Sequence, residues 1–244
     1  MRKLKYVVSF TGGGTPSKTV AVYWEGDVPW VSPKDMTRPV LHDTTDHISW
    51  DAIEVSATSL VPAGTLLIVV RSGILRRKIP AAINAVPMAL NQDMKALRPK
   101  ERLAETTFLL AFIQGCEVTL LTEWTKHGAT VESIEYELLA NSRIPLPPLP
   151  EQNAIVEYLD TQTTKIDAAI AATRSEIELL REYRTRLIAD VVTGKVDVRE
   201  VAARLPEEPS EEEAESIDTD EIAEDEATDE EAGTETVEEE EVEP

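Results

Sequence analysis

A dense group of basic residues follows the most apolar stretch of the chain. Residues 66–70 read Leu-Leu-Ile-Val-Val, a run typical of a buried strand. Four cations follow that predicted strand within eight residues. They are Arg71, Arg76, Arg77 and Lys78. Arginine and lysine bind phosphates, and arginine can also contact guanine edges through two hydrogen bonds. The group suits nucleic acid, although a solvated strand end explains it equally well.

Other polar residues extend this candidate surface. Asn91 and Gln92 carry amides that can contact adenine edges, and Lys18 and Lys34 lie in two further polar loops. The charge argues against a free-standing DNA-binding domain, because residues 1–204 hold 24 basic and 25 acidic residues and carry only −1. The low charge does not argue against a subunit that reads bases within a larger, more basic complex.

The sequence lacks the common catalytic and metal-binding patterns. The histidines, His42, His47 and His127, form no paired-histidine zinc motif, and the aspartate-containing segment 42–47 fits a solvated loop better than a metal site. The glycine-rich residues 11–17 lack the Lys-Ser/Thr ending of a P-loop, and no Gly-x-Ser-x-Gly elbow occurs. The prolines at 147 and 148 lack the aromatic residue that an amino-methyltransferase tetrapeptide requires. We predict no catalytic residue, no metal site and no cofactor in this chain.

The composition excludes several further classes of protein. The single cysteine, Cys116, excludes an intramolecular disulfide and a cysteine metal cluster. The sequence contains no run of about 18 apolar residues and no apolar leader after Met1. We expect a cytoplasmic protein without membrane contact.

The net charge of −22 is concentrated in the last part of the sequence. Residues 205–244 hold 21 acidic residues and no lysine or arginine, so they carry −21. With no aromatic residue and almost no aliphatic periodicity, this segment cannot bury enough apolar surface to offset chain entropy. We predict a disordered acidic tail over residues 201–244. A solvating role is the simpler interpretation, and competition with a polyanion for a basic face of the same protein is the alternative.

Residues 144–200 predict a long helix behind a stiff proline segment. Four prolines occur within 144–150, whereas residues 151–193 contain neither proline nor glycine. Proline is favoured in the first helical turn and glycine just past a helix end. Pro150 and Gly194 therefore bound a predicted helix of about 65 Å, at ~1.5 Å per residue.

The apolar residues of this helix form a narrow stripe, which we call the seam. Steps of alternately four and three residues connect them, an average of 3.5 that is typical of a coiled coil. The seam residues are Leu159, Ile166, Ile170, Ile177, Leu180, Leu187 and Val191, with interruptions at Thr163, Thr173 and Arg184. A long helix with one narrow apolar stripe is poorly stable alone. We predict that it pairs with a second helix; the alternative is that it lies on its own globular domain.

Residues 1–143 are predicted to form one globular domain that mixes strands and helices. A short strand followed by a polar loop is expected within 26–36, a buried strand at 66–70, and a strand pair around a turn at 85–97. Helical spacing runs from Glu101 to about Leu121, a loop is expected at 124–129, and residues 131–141 suit a strand or a short helix. The predicted fold class is a mixed α+β or α/β globular domain (1–143), a proline-led linker and long coiled-coil-forming helix (144–200), and the disordered acidic tail.

Several motifs together resemble type I restriction–modification specificity subunits. The helical motifs are Leu-Pro-Pro-Leu-Pro-Glu-Gln at 146–152, Ile-Val-x-x-Leu-Asp at 155–160, Lys-Ile-Asp at 165–167, Ile-Glu-Leu-Leu at 177–180 and Val-Thr-Gly-Lys-Val-Asp-Val-Arg at 192–199. Weaker motifs similar to the same family's target recognition domain occur in order at 13–17, 28–35, 70–73 and 91–92. The candidate DNA-binding set becomes Thr15, Ser17, Lys18, Trp30, Ser32, Lys34, Arg71, Ser72, Arg76, Arg77, Lys78, Asn91 and Gln92.

The resemblance implies a fold and a function. In this family an α/β recognition domain reads one half of a split target in double-stranded DNA, and long helices pair antiparallel as a spacer between two such domains. Methyltransferase subunits that use S-adenosylmethionine dock on the specificity subunit, and restriction subunits add translocation and cleavage that require ATP and magnesium. The specificity subunit itself has no active site and needs no cofactor.

One departure from the family pattern changes the expected assembly. Family members usually contain two recognition domains and two helical regions, whereas this sequence contains one of each. The chain is expected either to pair with a copy of itself as an antiparallel homodimer or to be a fragment, functional or not, of a longer subunit. The competing interpretations are a coiled-coil adaptor without DNA specificity and an enzyme acting on DNA, of which the enzyme is weaker because catalytic motifs are missing.

Overall fold

The computed structural model describes residues 1–100, 103–125 and 132–204. The chain divides into two compact units, Met1–Ala172 and Thr173–Pro244. Most of the predicted acidic tail, residues 205–244, lies outside the described residues. Within the described ranges, no helix is both long enough and apolar enough to cross a membrane.

Short strands and helices alternate through the first 144 residues. The strands are β1 (Arg2–Lys3), β2 (Val8–Gly12), β3 (Val28–Val31), β4 (Val40–Leu41), β5 (Asp46–Ile48), β6 (Leu60–Val61), β7 (Leu66–Val69), β8 (Ala81–Asn84), β9 (Met88–Leu90), β10 (Met94–Pro99) and β11 (Arg143–Ile144). The helices are α1 (Leu4–Val7), α2 (Trp50–Val55), α3 (Thr106–Gly115), α4 (Glu117–Trp124), α5 (Tyr136–Asn141), α6 (Leu149–Val192) and α7 (Arg199–Ala202). Short 3₁₀ helices lie at Ala21–Trp24, Pro33–Asp35 and Gly73–Arg76. The predicted mixed α/β domain followed by a long helix is confirmed.

Two sheets form the centre of the globular domain. The first has the strand order β2-β10-β7-β8-β4 and is antiparallel except for the pair β8–β4. The second has the order β5-β3-β9-β6, in which β3 and β9 are parallel. Strands β1 and β11 pair separately and place Arg2 opposite Ile144.

Strand β7 is buried on both faces, as its continuous apolar run predicts. Leu66 and Ile68 belong to the core that α3 and α4 cover, whereas Leu67 and Val69 belong to the core shared with residues of β3 and β9. Successive residues of a strand point to opposite faces. A strand covered on both sides therefore needs an apolar residue at every position.

The stretch 85–97 contains the two predicted strands, β9 and β10, but they belong to different sheets. Strand β9 lies between β3 and β6, and β10 lies between β2 and β7. The residues between them, 91–93, carry the chain from one sheet to the other. The prediction of a local strand pair was wrong because local propensity identifies a strand but does not choose its partner.

The predicted helical stretch 101–121 is two helices, α3 and α4, separated at Cys116. Of the segment predicted as a strand or a short helix, residues 136–141 form helix α5, while Ser133 and Ile134 form isolated antiparallel bridges with Arg71 and Thr125. Residues 101–102 and 126–131 lie outside the described residues, and most of the loop predicted at 124–129 lies with them.

Helix α6 begins and ends close to the predicted residues. Pro150 is its second residue, and Gly194 lies just past its end with a φ of +75°, the left-handed conformation that favours glycine. The N–H groups of Gly194 and Lys195 donate to the carbonyls of Val191 and Asp190 at 3.0 and 2.8 Å. These bonds satisfy carbonyl groups that the helix end leaves without a helical partner.

Gln152 attaches the first turn of α6 to the globular domain. Its side chain is fully buried. The amide nitrogen donates to the carbonyls of Leu103 and Pro147 at 3.0 and 2.8 Å, and the amide oxygen accepts from the N–H of Glu105 at 2.9 Å. A buried amide with three bonds orients the helix start, which a purely apolar contact would do less specifically.

Gly13 lies where the segment after β2 passes close to the backbone at the end of β9. The N–H of Gly14 donates to the carbonyl of Leu90 at 2.9 Å. A Cβ atom on Gly13 would overlap the backbone of Leu90 and Asn91. This contact joins the segment after β2, in the first sheet, to the end of β9, in the second.

Replacing Gly13 by alanine is expected to lower the free energy of unfolding by about 1–3 kcal/mol, because the added methyl group has no space against main-chain atoms. Urea denaturation followed by circular dichroism measures the change. Gly12→Ala is the matched control, since a Cβ at Gly12 meets nothing within 4 Å. Equal losses in the two variants would contradict the tight contact at Gly13.

Candidate nucleic-acid interface

The first sheet gathers the predicted binding segments at one end. Neighbouring strands among β2, β10, β7 and β8 run in opposite directions, so the ends of β2 and β7 lie beside the starts of β10 and β8. Strand β4 is parallel to β8, and its start lies at the same end. The segments at this end are 13–18, 37–39, 70–80 and 91–93. We call this surface the cationic end; its cations are Lys18, Arg38, Arg71, Arg76, Arg77 and Lys78.

Hydrogen bonds connect the glycine-rich loop with its neighbours at the cationic end. The hydroxyl of Thr15 donates to the side-chain oxygen of Gln92. The indole N–H of Trp30 donates to the carbonyl of Gly14 at 3.1 Å. Trp30 is buried, so it supports the loop from below rather than facing solvent.

Asn91 and Gln92, adjacent in sequence, have different environments. Asn91 is buried, and its side-chain oxygen accepts from the N–H of Asp93 at 2.7 Å. Its own N–H donates to the carbonyl of Val31 at 2.9 Å. Asn91 therefore shapes the turn between the sheets, and Gln92 is the exposed amide of the two.

Two candidate serines also bond within the domain. Ser32 is buried and donates to the carboxylate of Asp35 at 2.9 Å. The hydroxyl of Ser72 accepts from the N–H of Ile74 at 3.4 Å at the start of the 3₁₀ helix Gly73–Arg76. Both serines hold local backbone shape next to exposed candidates. Ser17 is exposed, and its hydroxyl lies 2.8 Å from that of Thr19.

Three cations of the candidate set have a carboxylate partner. The pairs are Arg71–Asp93 at 2.7 Å, Lys34–Asp46 at 2.9 Å and Arg76–Glu132 at 3.6 Å. The three cationic side chains remain 56%, 52% and 66% exposed, so water screens each attraction and each contributes less than about 1 kcal/mol. Lys18, Arg77 and Lys78 are exposed and make no ion pair with the residues that the structure describes.

Arg38 is a cation of this surface that sequence reasoning missed. It is exposed and comes two residues before β4. The N–H of Ile83 in β8 donates to the carbonyl of Pro39 at 2.9 Å, which holds the segment of Arg38 beside the start of β8. The sequence shows Arg38 as an isolated charge, and only the parallel pairing of β4 with β8 brings it to the same end as Lys78.

Asp35 holds the loop that carries Lys34. Its carboxylate accepts hydrogen bonds from the N–H and hydroxyl groups of both Ser32 and Thr45, at 2.8–2.9 Å. Burial disfavours the charged form of Asp35, but these hydrogen bonds outweigh burial and keep its pKa below the ordinary value. An ionised Asp35 therefore fixes this loop at neutral pH.

A polar concavity of about 450 Å³ lies beside this loop. Lys34, Arg38 and His42 line it together with threonine and aspartate side chains. The mixture provides hydrogen-bond donors and acceptors within one depression. Such a surface suits the edges of bases as well as phosphates.

The histidines of this region do not suggest metal binding. The Nε2 atom of His47 lies 2.8 Å from Asp43. Hydrogen bonds from the N–H of Thr44 and from His47 lower the pKa of Asp43. Over residues 1–100, 103–125 and 132–204, no group of three or more histidine, cysteine, aspartate or glutamate residues could hold a metal ion; His127 lies outside these ranges. The arrangement provides charge and hydrogen-bond donors and acceptors at this surface.

The seam of α6 forms a second candidate surface. Six of its residues, Leu159, Ile166, Ile170, Ile177, Leu180 and Leu187, are between 40% and 59% exposed, and Val191 is half-buried. The seam is therefore uncovered in a single chain. Contiguous exposed apolar surface of this kind marks sites of protein contact.

Comparison with known proteins identifies the family. A family model described as the type I restriction modification DNA specificity domain matches residues 1–179. The chain is 41% identical over 169 residues to the EcoR124I/EcoR124II specificity subunit of Escherichia coli, a match that covers 69% of this chain and 42% of the relative. It is 25% identical over 193 residues to the MjaIX specificity subunit of Methanocaldococcus jannaschii, covering 77% of this chain and 42% of that protein. The chain spans less than half the length of these relatives.

Solved structures share the fold. A chain from a structure described as the basis of complex assembly and conformational transition of the type I R-M system superposes with a TM-score of 0.63 at 23% identity, over 78% of this chain and 44% of that one. The HsdS subunit from Thermoanaerobacter tengcongensis superposes with a TM-score of 0.53 at 24% identity, over 68% and 37% of the two chains. Since the family model covers most of the sequence, the chain belongs to the family of type I restriction modification DNA specificity domains.

Proposed function

We propose that this chain is the DNA-recognition subunit of a type I restriction–modification complex and that it has no active site of its own. The main support is the convergence of four sequence-distant segments at the cationic end. The exposed arginines and lysines there suit phosphates, and Gln92 suits a base edge. Double-stranded DNA is the ligand that matches both.

In this proposal the catalytic steps belong to partner subunits in the cytoplasm. Methyltransferase subunits use S-adenosylmethionine to methylate adenine, and restriction subunits use ATP and magnesium for translocation and cleavage. Residues 1–204 carry only −1, so this chain alone has little general attraction for DNA. It contributes sequence selectivity within a complex that supplies the remaining positive charge.

The candidate residues divide into two roles. Trp30, Ser32 and Asn91 are buried and bond to neighbouring segments, so they support the loops. Thr15 and Ser72 are half-buried and contribute in the same way. The exposed members make the proposed contacts with DNA, and Arg38 joins them. These are Ser17, Lys18, Lys34, Arg38, Arg71, Arg76, Arg77, Lys78 and Gln92.

The uncovered seam supports pairing of α6 with the same helix of a second copy, as a coiled coil. The distribution of charge favours an antiparallel pair. Residues 149–170 contain four acidic residues and one basic residue, for a charge of −3, whereas residues 171–192 contain four of each. Parallel pairing places the two acidic halves together, and antiparallel pairing places each beside a neutral half. We therefore propose an antiparallel homodimer with α6 as its spacer.

A two-fold pair presents identical reading surfaces, so the proposed DNA site is two inverted copies of one short sequence around a nonspecific spacer. Sequencing of methylated bases measures this in cells that carry this specificity protein alone with its methyltransferase. Two unrelated half-sites would contradict self-pairing and would show that a different recognition domain completes the complex.

The double substitution Arg76→Ala and Arg77→Ala is expected to weaken binding of target DNA by about tenfold and to lower the salt dependence by about two ion equivalents. The reason is that each guanidinium neutralises about one phosphate. A filter-binding titration over a range of salt, with the methyltransferase present, measures both effects.

The matched control for this experiment is Arg98→Ala with Lys100→Ala. Both residues are exposed and lie toward the opposite end of β10 from the cationic end. The control removes the same charge but should leave affinity unchanged. Equal effects of the two pairs would show that only net charge matters, and an unchanged affinity of the first pair, with unchanged thermal stability, would remove Arg76 and Arg77 from the interface.

Leu180→Asp is expected to split the proposed dimer, because it places a charge inside an apolar seam at a cost of several kcal/mol per chain. Sedimentation of the purified protein measures its mass. Leu179→Asp is the matched control: it introduces the same residue at the adjacent position, 64% exposed and outside the seam, and should leave the dimer intact. A dimer that survives Leu180→Asp would exclude the seam as the interface.

A further inference from the structure

The polar concavity beside the loop of Lys34 contains side chains of opposite charge that are not paired with each other. Arg38 and Asp43 both line this depression of about 450 Å³. Arg38 has no carboxylate partner in the described part of the chain, and Asp43 is paired only with His47. A carboxylate repels phosphate groups. The depression therefore suits a ligand that presents hydrogen-bond acceptors to Arg38 and a donor to Asp43.

Only one oxygen of the Asp43 carboxylate is used within the loop. Oδ1 accepts from the N–H of Thr44 at 2.9 Å and lies 2.8 Å from Nε2 of His47. Oδ2 has no hydrogen-bond partner among the residues that the structure describes, and the side chain is 70% exposed. The bond from Thr44, followed by that with His47, lowers the pKa of Asp43, so the carboxylate is ionised at neutral pH. Asp43 therefore presents one free acceptor oxygen on a carboxylate that is held in place.

Hydrogen bonds fix the segments that form the concavity. Asp35 accepts four of them from Ser32 and Thr45. The hydroxyl of Thr44 donates to the carbonyl of Asp46 at 2.7 Å, and strand β4 pairs with β8 between Arg38 and these residues. A surface that is ordered before binding loses little conformational entropy when a ligand binds. It also cannot rearrange easily around a mismatched ligand, which favours selectivity.

A G·C base pair matches the two unpaired groups. In the major groove, guanine presents two acceptors, O6 and N7, and cytosine presents its N4 amine as a donor. Arginine donates to both guanine acceptors, and aspartate accepts from the cytosine amine. An A·T pair matches poorly, because adenine places a donor beside its N7 acceptor and thymine presents the acceptor O4, to which an ionised carboxylate cannot bond.

From this complementarity we propose that the concavity reads one G·C base pair of the target, with Arg38 contacting guanine and Oδ2 of Asp43 contacting cytosine. The proposal rests on the proposed DNA-recognition function and deepens it, since it names a base pair and the two side chains that select it. Exposed cations such as Arg77 and Lys78 then position the duplex through its phosphates, which carry no sequence information. His47 is a positioning residue, because it acts on the DNA only through Asp43.

Selection of bound duplexes from a pool with randomised positions tests this assignment, with the full-length protein and the methyltransferase present. The native protein is expected to require a G·C pair at one position of the half-site that this domain reads. Arg38→Ala and Asp43→Asn are each expected to relax the requirement at that same position and at no other. The preference for G·C over A·T there should fall about 10- to 100-fold. Asparagine retains the shape of the side chain but replaces the free oxygen by an amide N–H, which cannot accept from cytosine.

Two matched variants serve as controls. Asp51→Asn makes the same change at an exposed aspartate outside the concavity, and it should alter neither the selected sequence nor the affinity. Arg77→Ala removes an exposed arginine of the cationic end. It should lower the affinity for all duplexes by a similar factor and leave the selected sequence unchanged, as expected for a phosphate contact.

The proposal is overturned if Arg38→Ala or Asp43→Asn, folded as judged by circular dichroism, behaves like Arg77→Ala. It is also overturned if the selected sequence is unchanged or if the two variants relax different positions. A native protein that binds duplexes without preferring any sequence would instead contradict the proposed recognition function itself. The native protein alone therefore distinguishes the two failures, because it still selects a sequence when only the assignment of the concavity is wrong.

Discussion

Main-chain atoms of the Gly13–Gly14 loop lie against the turn at Leu90 and Asn91, and this close approach connects the two sheets. A side chain on Gly13 would separate them. With the loop in place, Trp30 donates to its carbonyl from below and Thr15 reaches Gln92 from the side. The exposed amide of Gln92 therefore lies beside a loop whose position depends on a contact between backbones.

The apolar residues of strand β7 are buried within the chain, whereas those of the seam of helix α6 are exposed. Both faces of β7 are covered within the globular domain, so the domain completes its core by itself. The seam of α6 has no such cover, since its residues from Leu159 to Leu187 remain substantially exposed. This difference is the reason that a second helix is proposed to cover the seam, whereas the core around β7 is covered within the same chain.

The charge of the cationic end is relevant to the DNA that is proposed as its ligand. Two of its six cations, Arg71 and Arg76, have an acidic neighbour, which would limit unselective attraction to the DNA proposed as its ligand; the charge of −1 on residues 1–204 has the same effect. Under the proposed function, selectivity then depends on the shape and hydrogen bonding of the loops.

The sequence by itself determined the elements whose cause is local. Proline and glycine set the limits of α6, because each acts on its own backbone, and the apolar run of 66–70 identified a buried strand. Only the tertiary structure decided which strands are neighbours, since hydrogen bonds between strands join residues far apart in sequence. For that reason β9 and β10 separated into two sheets, Arg38 joined the cationic end, and Asn91 was buried while Gln92 stayed exposed.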